Sequence, residues 1–151
     1  MSAVTESLET RGVPFQVLRH DPTHAAGEEA RSLGIRPDLV VKTIVLRTAE
    51  GPVIALVPGS RRLDMSLVRH AVGDPRARLA TEAELQRDYP GFVLGAIPPL
   101  GSLLRMRVYE DPETVAHPEV VFAVSPTESV RVRTDDLLRD EYPTVVPLCR
   151  Q

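Results

Sequence analysis

Lys42 is the residue in this sequence that is best suited to chemistry. It is the only lysine in a chain of 151 residues that carries 18 lysine and arginine residues in total. An ammonium is a compact point charge whose pKa changes readily on burial, whereas a guanidinium stays charged and spreads its donors over a planar fork. Lys42 is therefore a candidate for holding or stabilising negative charge in a way that arginine cannot.

The residues around Lys42 predict a β-strand. The run from Val40 to Leu46 is apolar apart from Lys42 and Thr43, and most of its residues are β-branched. Side chains alternate along a strand, so Lys42 shares a face with Ile44 and Leu46, and both faces are largely apolar. This pattern favours a central strand that is covered on both sides. The alternative is a lysine at a strand end that reaches water and pairs with a surface carboxylate.

A second unusual stretch runs from Gly95 to Gly101 and predicts a rigid loop. Its two prolines remove two N–H donors, and its two glycines allow backbone conformations that are closed to other residues. The amides of Gly95, Ala96 and Ile97 could point at a ligand and stabilise a developing oxyanion. The alternative is a stiff connector that binds nothing.

The other reactive residue types do not form a recognisable site. The sequence has four histidines, His20, His24, His70 and His117. Pro22 separates the first two, and no cysteine pair or acidic cluster completes a metal site. No serine lies in a nucleophile-elbow context, and no phosphate-binding loop or dinucleotide fingerprint occurs. We therefore expect no metal and no organic cofactor, and His20, at a strand end, is the most pocket-like histidine.

Composition and charge indicate one globular domain over residues 1–151. Hydrophobic residues make up 42% of the chain, charged residues 26%, and the net charge is −3. No apolar run has the length of a membrane span, and the N-terminus does not resemble a signal peptide. The single cysteine, Cys149, cannot form an internal disulfide and lacks the setting of a catalytic thiol. These features predict a cytoplasmic protein with no membrane partner, and argue against a general nucleic-acid coat without excluding contact with the end of an RNA.

Helical and strand patterns are interspersed along the chain, which predicts an α/β fold with a mixed, strongly curved sheet. The strongest local signals are a turn at Glu50–Pro52 that joins two antiparallel strands, a helix capped by Asp64, and a capping box that begins at Thr81. Further predicted elements are a helix from Ser2 to Arg11, a strand from Val13 to Arg19, a helix to Leu33 with its N-cap at Thr23, strands at Leu104–Tyr109, Val120–Val124 and Val130–Val132, and a last turn capped by Thr134.

Several of these stretches together resemble the YbaK/ProX family. Members of this family are aminoacyl-tRNA deacylases related to the editing domain inserted in bacterial prolyl-tRNA synthetases. The resemblance extends from about residue 13 to about residue 138 and implies a barrel-like sheet surrounded by helices. The stretches that carry it are Val41–Leu46, Ala55–Gly59, Arg62–Asp64, Gly91–Phe92 and Gly95–Gly101.

The resemblance implies hydrolysis of the ester that joins a wrong amino acid to the terminal ribose of a tRNA. Lys42 matches the essential lysine of the family, and Gly95 and Pro99 match its glycine–proline loop, so these three are the expected catalytic residues. The expected substrate-binding residues are His20, Thr43, Ala96, Ile97 and Gly101. No serine, cysteine or histidine nucleophile is evident, which points to a water or a group of the substrate as the attacker.

The predicted function is a trans-editing hydrolase for a mischarged tRNA of the Cys-tRNA(Pro) or Ala-tRNA(Pro) type. Its partners would be the acceptor end of an aminoacyl-tRNA and, as a further candidate, a prolyl-tRNA synthetase; a monomer and a homodimer both stay open. The alternative is a weakly active or inactive binding module of the same fold, because Ala123–Ser129 lacks the glycine or histidine that many relatives carry there. A third reading is a hydrolase for another small ester or thioester.

Overall fold

The strands of this protein divide between two sheets. The computed structural model describes residues 2–93 and 96–150. The strands are β1 (Phe15–Arg19), β2 (Val41–Thr48), β3 (Gly51–Pro58), β4 (Arg78–Leu79), β5 (Arg107–Glu110), β6 (Glu119–Ser125), β7 (Glu128–Arg133) and β8 (Thr144–Val145). The helices are α1 (Ala3–Thr10), α2 (Ala26–Leu33), α3 (Met65–Val72), α4 (Glu82–Asp88), α5 (Gly101–Leu104), α6 (Pro112–Ala116) and α7 (Thr134–Leu138), with a 3₁₀ turn at Pro37–Leu39.

The larger sheet is mixed, as the sequence predicts. It has five strands in the order β4-β2-β3-β5-β8. Strands β2 and β3 form the expected antiparallel hairpin, with Lys42 paired to Val57. Strand β5 runs parallel to both β3 and β8. The mixed α/β architecture is thus confirmed for the described residues.

The expectation of one barrel-like sheet is not confirmed. Strands β1, β7 and β6 form a separate antiparallel sheet, and a single parallel bridge between Val40 and Val121 connects it to the start of β2. The physical reason is that β7 pairs along its length with β1 on one side and β6 on the other. The backbone groups of this sheet are therefore satisfied largely without β2.

The helix starts at Asp64 and Thr81 are confirmed. The Asp64 carboxylate accepts hydrogen bonds from the amides of Ser66 and Leu67, and Thr81 forms a capping box with Glu84. These bonds satisfy amides that have no partner inside the helix.

The predicted N-cap at Thr23 is wrong. Helix α2 begins at Ala26, and Ala25 precedes it without a side-chain cap. The amide of Thr23 donates to the carbonyl of Pro126, which holds this loop against the β6–β7 turn and delays the helix.

The predicted strand at Leu104–Tyr109 begins too early. Leu104 ends helix α5, Arg105 follows in a left-handed conformation (φ 58°), and the strand starts only at Arg107. The alternation of apolar and basic residues over Leu104–Tyr109 predicts a strand along its whole length. In the structure the first three residues belong to the end of the short helix and to the turn.

Two apolar clusters cover the faces of the five-stranded sheet. The first lies between the two sheets and includes Val41, Leu56 and Phe122. The second lies on the opposite face and includes Leu46 and Leu148, with Ile44 packed against it. Strand β2 is therefore central and covered on both faces, as predicted. No helix within residues 2–93 and 96–150 is long and apolar enough to cross a membrane.

Gly59 allows helix α2 to approach the end of the β2–β3 hairpin. A Cβ atom at this position would lie 2.8 Å from the carbonyl oxygen of Pro37 and 3.0 Å from Cβ of Ala26, which is too close for both. The Gly59 amide also donates to the carbonyl of Val40 at 2.7 Å. This close contact holds the first turn of α2 beside the start of β2, where Lys42 lies.

Candidate active site

Lys42 is half-buried at the start of β2 and is held by the backbone rather than by an acid. Its Nζ donates to the carbonyl oxygen of Arg61 at 3.0 Å. Burial lowers the pKa of Lys42 below its usual value, the nearby Cys149 thiol opposes this, and Arg62 lowers the pKa further. Lys42 does lie near a strand end, but no carboxylate forms a salt bridge with it in the described part of the chain. The structure therefore does not support pairing with a surface carboxylate.

Lys42 opens onto a cavity of about 270 Å³ between α2 and the two sheets. Strand β2 contributes one wall, helix α2 and the loop before it contribute another, and the side chain of Phe122 comes from the smaller sheet. The lining residues are His24, Ala25, Ala26, Glu29, Val41, Lys42, Thr43, Ile44, Ile97, Phe122 and Ala123. A narrow recess continues from it along Thr23, Ala96, Ser125 and Pro126, and shares His24, Ala25, Glu29 and Ala123 with it.

The cavity brings together part of the predicted site. Lys42, Thr43 and Ile97 line it, and Ala96 lines the adjoining recess. The first two of these residues lie more than 50 positions before the other two in the sequence, and the packing of the loop against β2 brings them to one place. Gly95, predicted to be catalytic, lies outside the described residues.

Pro99 and Gly101, also predicted to be site residues, lie away from the cavity. Both are buried, and neither lines the cavity or the recess. At Gly101 a Cβ atom would lie 2.6 Å from the carbonyl oxygen of Met106 and closer still to the Val108 side chain. Gly101 thus permits close packing of α5 against β5.

The loop amides are not equally available to a ligand. The amide of Ala96 donates to the carbonyl of Val93 at 2.9 Å, so it already has an acceptor inside the loop. Ile97 is buried beside the cavity. An oxyanion role for Ala96 would require that this bond be exchanged.

Thr43 lines the cavity, but its hydroxyl oxygen is enclosed by the protein. Its Oγ1 is inaccessible to solvent and has no hydrogen-bond partner among the described residues. A buried hydroxyl without a partner costs free energy, so such groups are exceptional in native proteins. The enclosed hydroxyl is not in position to contact a ligand in the cavity, and the substrate-binding role of Thr43 stays a prediction.

His20 does not line the cavity but is connected to it through two other side chains. Its Nε2 lies 2.8 Å from Oγ of Ser129, and its Nδ1 lies 2.8 Å from the carbonyl oxygen of Asp21. The Ser129 hydroxyl donates to the carboxylate of Glu29, which reaches the cavity wall. Burial raises the pKa of Glu29, while the Ser129 hydrogen bond and the charge of His20 lower it in part.

Hydrogen-bond chemistry restricts the protonation states of this chain of side chains. The carbonyl of Asp21 only accepts, so Nδ1 of His20 carries a hydrogen. If Ser129 donates to an ionised Glu29, then Nε2 donates to Ser129 and His20 is an imidazolium. If Glu29 is protonated and donates to Ser129, the hydroxyl donates to a neutral His20. The two arrangements contain the same number of protons.

The sequence analysis did not predict Glu29 and Ser129 as site residues, although the pattern of α2 contains one signal for Glu29. Helix α2 has a stripe formed by Ala26, Ala30 and Leu33 at helical spacing, and Glu29 lies on that stripe. A carboxylate on the buried face of a short helix is unusual. Ser129 gives no comparable signal, because its burial depends on the pairing of β7 between two strands.

The described residues form neither a metal site nor the surroundings of a reactive thiol. No group of three or more His, Cys, Asp or Glu side chains that could hold a metal occurs there. Cys149 lies near Lys42 but is buried, and burial, followed by the neighbouring Asp111, raises the pKa of its thiol to about 12. A thiol in this state is a poor nucleophile.

Several known proteins with similar sequences are named for the deacylation of aminoacyl-tRNA. The family model described as "Aminoacyl-tRNA editing domain" matches residues 20–139. A candidate Cys-tRNA(Pro)/Cys-tRNA(Cys) deacylase of Enterococcus faecalis, EbsC, is 27% identical over 106 residues, which are 68% of this chain and 64% of that protein. The multifunctional Ser/Thr-tRNA deacylase ProXp-y of Escherichia coli K12 is 26% identical over 145 residues, 92% of this chain and 86% of that protein.

A solved structure shares the whole fold. The crystal structure of a candidate trans-editing enzyme for prolyl tRNA synthetase superposes with a TM-score of 0.85 at 31% identity, over 98% of this chain and 95% of that one. The chain also matches a proline–tRNA ligase of Thermosipho melanesiensis, at 31% identity over 85 residues, but spans only 15% of its length.

Proposed function

Because the chain belongs to the aminoacyl-tRNA editing domain family, we propose that it hydrolyses the ester bond of mischarged aminoacyl-tRNA. The observation that carries this proposal is the position of Lys42 at the wall of a cavity of about 270 Å³, which it shares with Thr43 and Ile97. The relatives named as deacylases and the fold shared with a candidate trans-editing enzyme support the same reaction.

In the proposed reaction, Lys42 stabilises negative charge. Attack on the ester carbonyl by a water or a ribose hydroxyl moves charge onto the carbonyl oxygen, and an ammonium donor at that oxygen lowers the barrier. The bond between the carbonyl carbon and the ribose oxygen then breaks, and the ribose oxygen takes up a proton. The products are the tRNA and the free amino acid. If water attacks, they form in this one step. If a ribose hydroxyl attacks first, the amino acid moves to that hydroxyl, and a further hydrolysis step releases it.

The proposed substrate carries a small amino acid. The cavity is lined in part by the apolar side chains of Ile97 and Phe122, which favours an amino acid with an uncharged side chain. A proline activation site cannot strongly exclude amino acids of similar or smaller size, so a second hydrolytic site is needed. We therefore propose that the substrate is Cys-tRNA(Pro) or Ala-tRNA(Pro) and that the protein acts on its acceptor end. A prolyl-tRNA synthetase is a further proposed partner. The Ser/Thr-tRNA relative makes seryl and threonyl esters necessary comparisons.

The alternative of an inactive binding module depends on the segment Ala123–Ser129. This segment spans the end of β6, the turn and the start of β7, and four of its residues contact the cavity, the recess or Glu29. It thus shapes the pocket without glycine or histidine. The presence of Lys42 in the same pocket favours catalysis.

The test is a deacylation assay with tRNA(Pro) charged separately with cysteine, alanine, serine, threonine and proline. The wild type should hydrolyse at least one of the non-cognate esters and spare prolyl-tRNA. Lys42→Ala and Lys42→Arg should each lose about a hundredfold or more in rate, since the charge of arginine does not replace the placement of the ammonium.

Arg107→Ala is the matched control. Arg107 has an exposed side chain and lies outside the cavity and the recess, so its loss removes one positive charge without touching the site. Full activity of the Lys42→Ala variant would contradict the proposal. Measurable tRNA affinity without turnover by the wild type would favour the binding module.

A further inference from the structure

Glu29 is a buried acid whose carboxylate contacts a neutral hydroxyl, with His20 behind that hydroxyl. Its exposure is 3%, although it lines both the cavity and the recess. Its side-chain partner is the neutral hydroxyl of Ser129, and no arginine or lysine forms a salt bridge with it within residues 2–93 and 96–150. Buried carboxylates are normally paired, since the loss of hydration is otherwise expensive.

The cavity therefore carries an acidic and a basic group that do not neutralise each other. Lys42 donates to the carbonyl of Arg61. Glu29 accepts from Ser129. A ligand with a negative and a positive end close together would satisfy both groups at once.

An aminoacyl ester has this charge distribution during hydrolysis. Its carbonyl oxygen becomes negative on attack, and its α-ammonium is attached to the adjacent carbon. We propose that Glu29 binds the α-ammonium of the aminoacyl group while Lys42 serves the carbonyl oxygen, so that the enzyme requires a free amino group on its substrate. This inference rests on the proposed function and specifies which esters the site accepts.

Ser129 and His20 act on this contact as positioning residues. The hydroxyl of Ser129 fixes the direction of the Glu29 carboxylate. His20 lies 2.8 Å behind the hydroxyl and can hold the proton that Glu29 gives up when it ionises. Arrival of an ammonium favours the ionised form of Glu29, and the chain of side chains can supply that form without exchange of a proton with solvent.

A purely structural role for Glu29 makes a different prediction. In that case its hydrogen bond with Ser129 would only fasten α2 to β7. Glu29→Gln keeps an oxygen that can accept from Ser129 but removes the charge. A structural role would leave the choice between substrates unchanged in this variant, whereas the proposed role changes it.

The experiment compares two esters on the same tRNA(Pro). One carries the amino acid that the wild type removes fastest, and the other carries the corresponding α-hydroxy acid, for example alanine and lactate. The hydroxyl replaces the ammonium at nearly equal size. The ratio of kcat/KM for the two esters should fall about tenfold or more in Glu29→Gln relative to wild type, because a buried charge contact is lost for only one of them.

Two variants serve as controls. Glu28→Gln removes one charge from the neighbouring, exposed position of the same helix and should keep the wild-type ratio. Ser129→Ala leaves the Glu29 charge in place and should keep a preference for the aminoacyl ester, with a lower rate.

An unchanged ratio in Glu29→Gln would overturn the inference while leaving the proposed function intact. If the Gln variant does not fold, the wild type alone decides: a ratio equal to that of the two uncatalysed hydrolysis rates would overturn the inference. A wild type that hydrolyses none of the charged tRNAs would overturn the proposed function and this inference with it.

Discussion

The Nζ atom of Lys42 lies 3.0 Å from the carbonyl oxygen of Arg61 and forms no salt bridge in the described part of the chain. A carboxylate partner would neutralise the ammonium, whereas a carbonyl orients it and leaves its charge. An ammonium has three N–H donors, and the contact with Arg61 occupies one of them. The geometry is that of a positioned cation, and its partial burial strengthens any contact that it makes with a negative atom.

The rate of hydrolysis should depend on the charge of Lys42 and therefore on pH. Burial lowers the pKa of this side chain from the ordinary 10.5. The ammonium is present below the lowered pKa, so the rate should fall as the pH rises through it, at a pH below 10.5. Single-turnover deacylation between about pH 6 and pH 10, with the uncatalysed rate subtracted at each pH, measures this limb. A rate that keeps rising with hydroxide concentration to the top of the range would contradict the role of the ammonium.

Stability should also depend on pH through Glu110. This side chain is buried and accepts from Thr114 through one oxygen, and its other oxygen has no partner among residues 2–93 and 96–150. Burial raises its pKa from 4.5 to about 7. The folded state therefore binds the proton more tightly than the unfolded state, and stability present below pH 4.5 is lost as the pH rises towards 7. The loss amounts to at most about 3–4 kcal/mol, since each pKa unit corresponds to about 1.4 kcal/mol.

Glu110→Gln tests this prediction because it removes the ionisation and keeps an acceptor for Thr114. Urea unfolding at about pH 5 and about pH 8 should show a smaller difference in the free energy of unfolding for the variant than for the wild type. The variant should also be the more stable protein at the higher pH. Equal pH dependence of the two proteins would assign the effect to another group.

Cys149 should be inert in the folded protein. It is 3% exposed, and burial raises the pKa of its thiol to about 12, so little thiolate exists at neutral pH. Ellman's reagent should label less than about a tenth of the native protein at pH 8 and all of it in denaturant. Rapid labelling of the native protein would mean that the C-terminal segment opens readily.

Two glycine substitutions should change stability in opposite directions. Gly101→Ala places a Cβ atom 2.6 Å from the carbonyl oxygen of Met106, so the backbone must move, at a cost of about 1–3 kcal/mol. Gly27→Ala in helix α2 meets no atom within 4 Å and replaces a poor helix former, with a gain of up to about 1 kcal/mol. Thermal unfolding of both variants measures the difference, and a stable Gly101→Ala protein would contradict the close packing of α5 and β5.

Local signals predicted the helix starts after Asp64 and Thr81 and the β2–β3 hairpin, but not the start of α2. Asp64 and Thr81 act through bonds to amides two or three residues away, and the β2–β3 hairpin depends on a two-residue turn, so these features were readable from the sequence. The division into two sheets was not, because it depends on the pairing of β1 with β7, whose residues lie more than 100 positions apart.

The site was predictable to the extent that its residues are chemically unusual. Lys42 is unique in the sequence, and its position next to Thr43 on a buried strand located one wall of the cavity. Glu29 was not predicted as a site residue, although it lies on the apolar stripe of α2, and its contact with Ser129 depends on the packing of α2 against the sheets. Gly101 was predicted to bind substrate, and in the structure its missing side chain permits the close packing of α5 against β5.

The walls of the cavity come from two sheets that are joined through Val40 and Val121. Lys42 and Thr43 belong to one sheet, while Phe122 and Ala123 belong to the other. Under the proposed function, the lysine and the surface next to the amino-acid side chain thus belong to different sheets. Selectivity can be redesigned by substitutions along β6 and its turn, with the lysine and its backbone anchor left as they are.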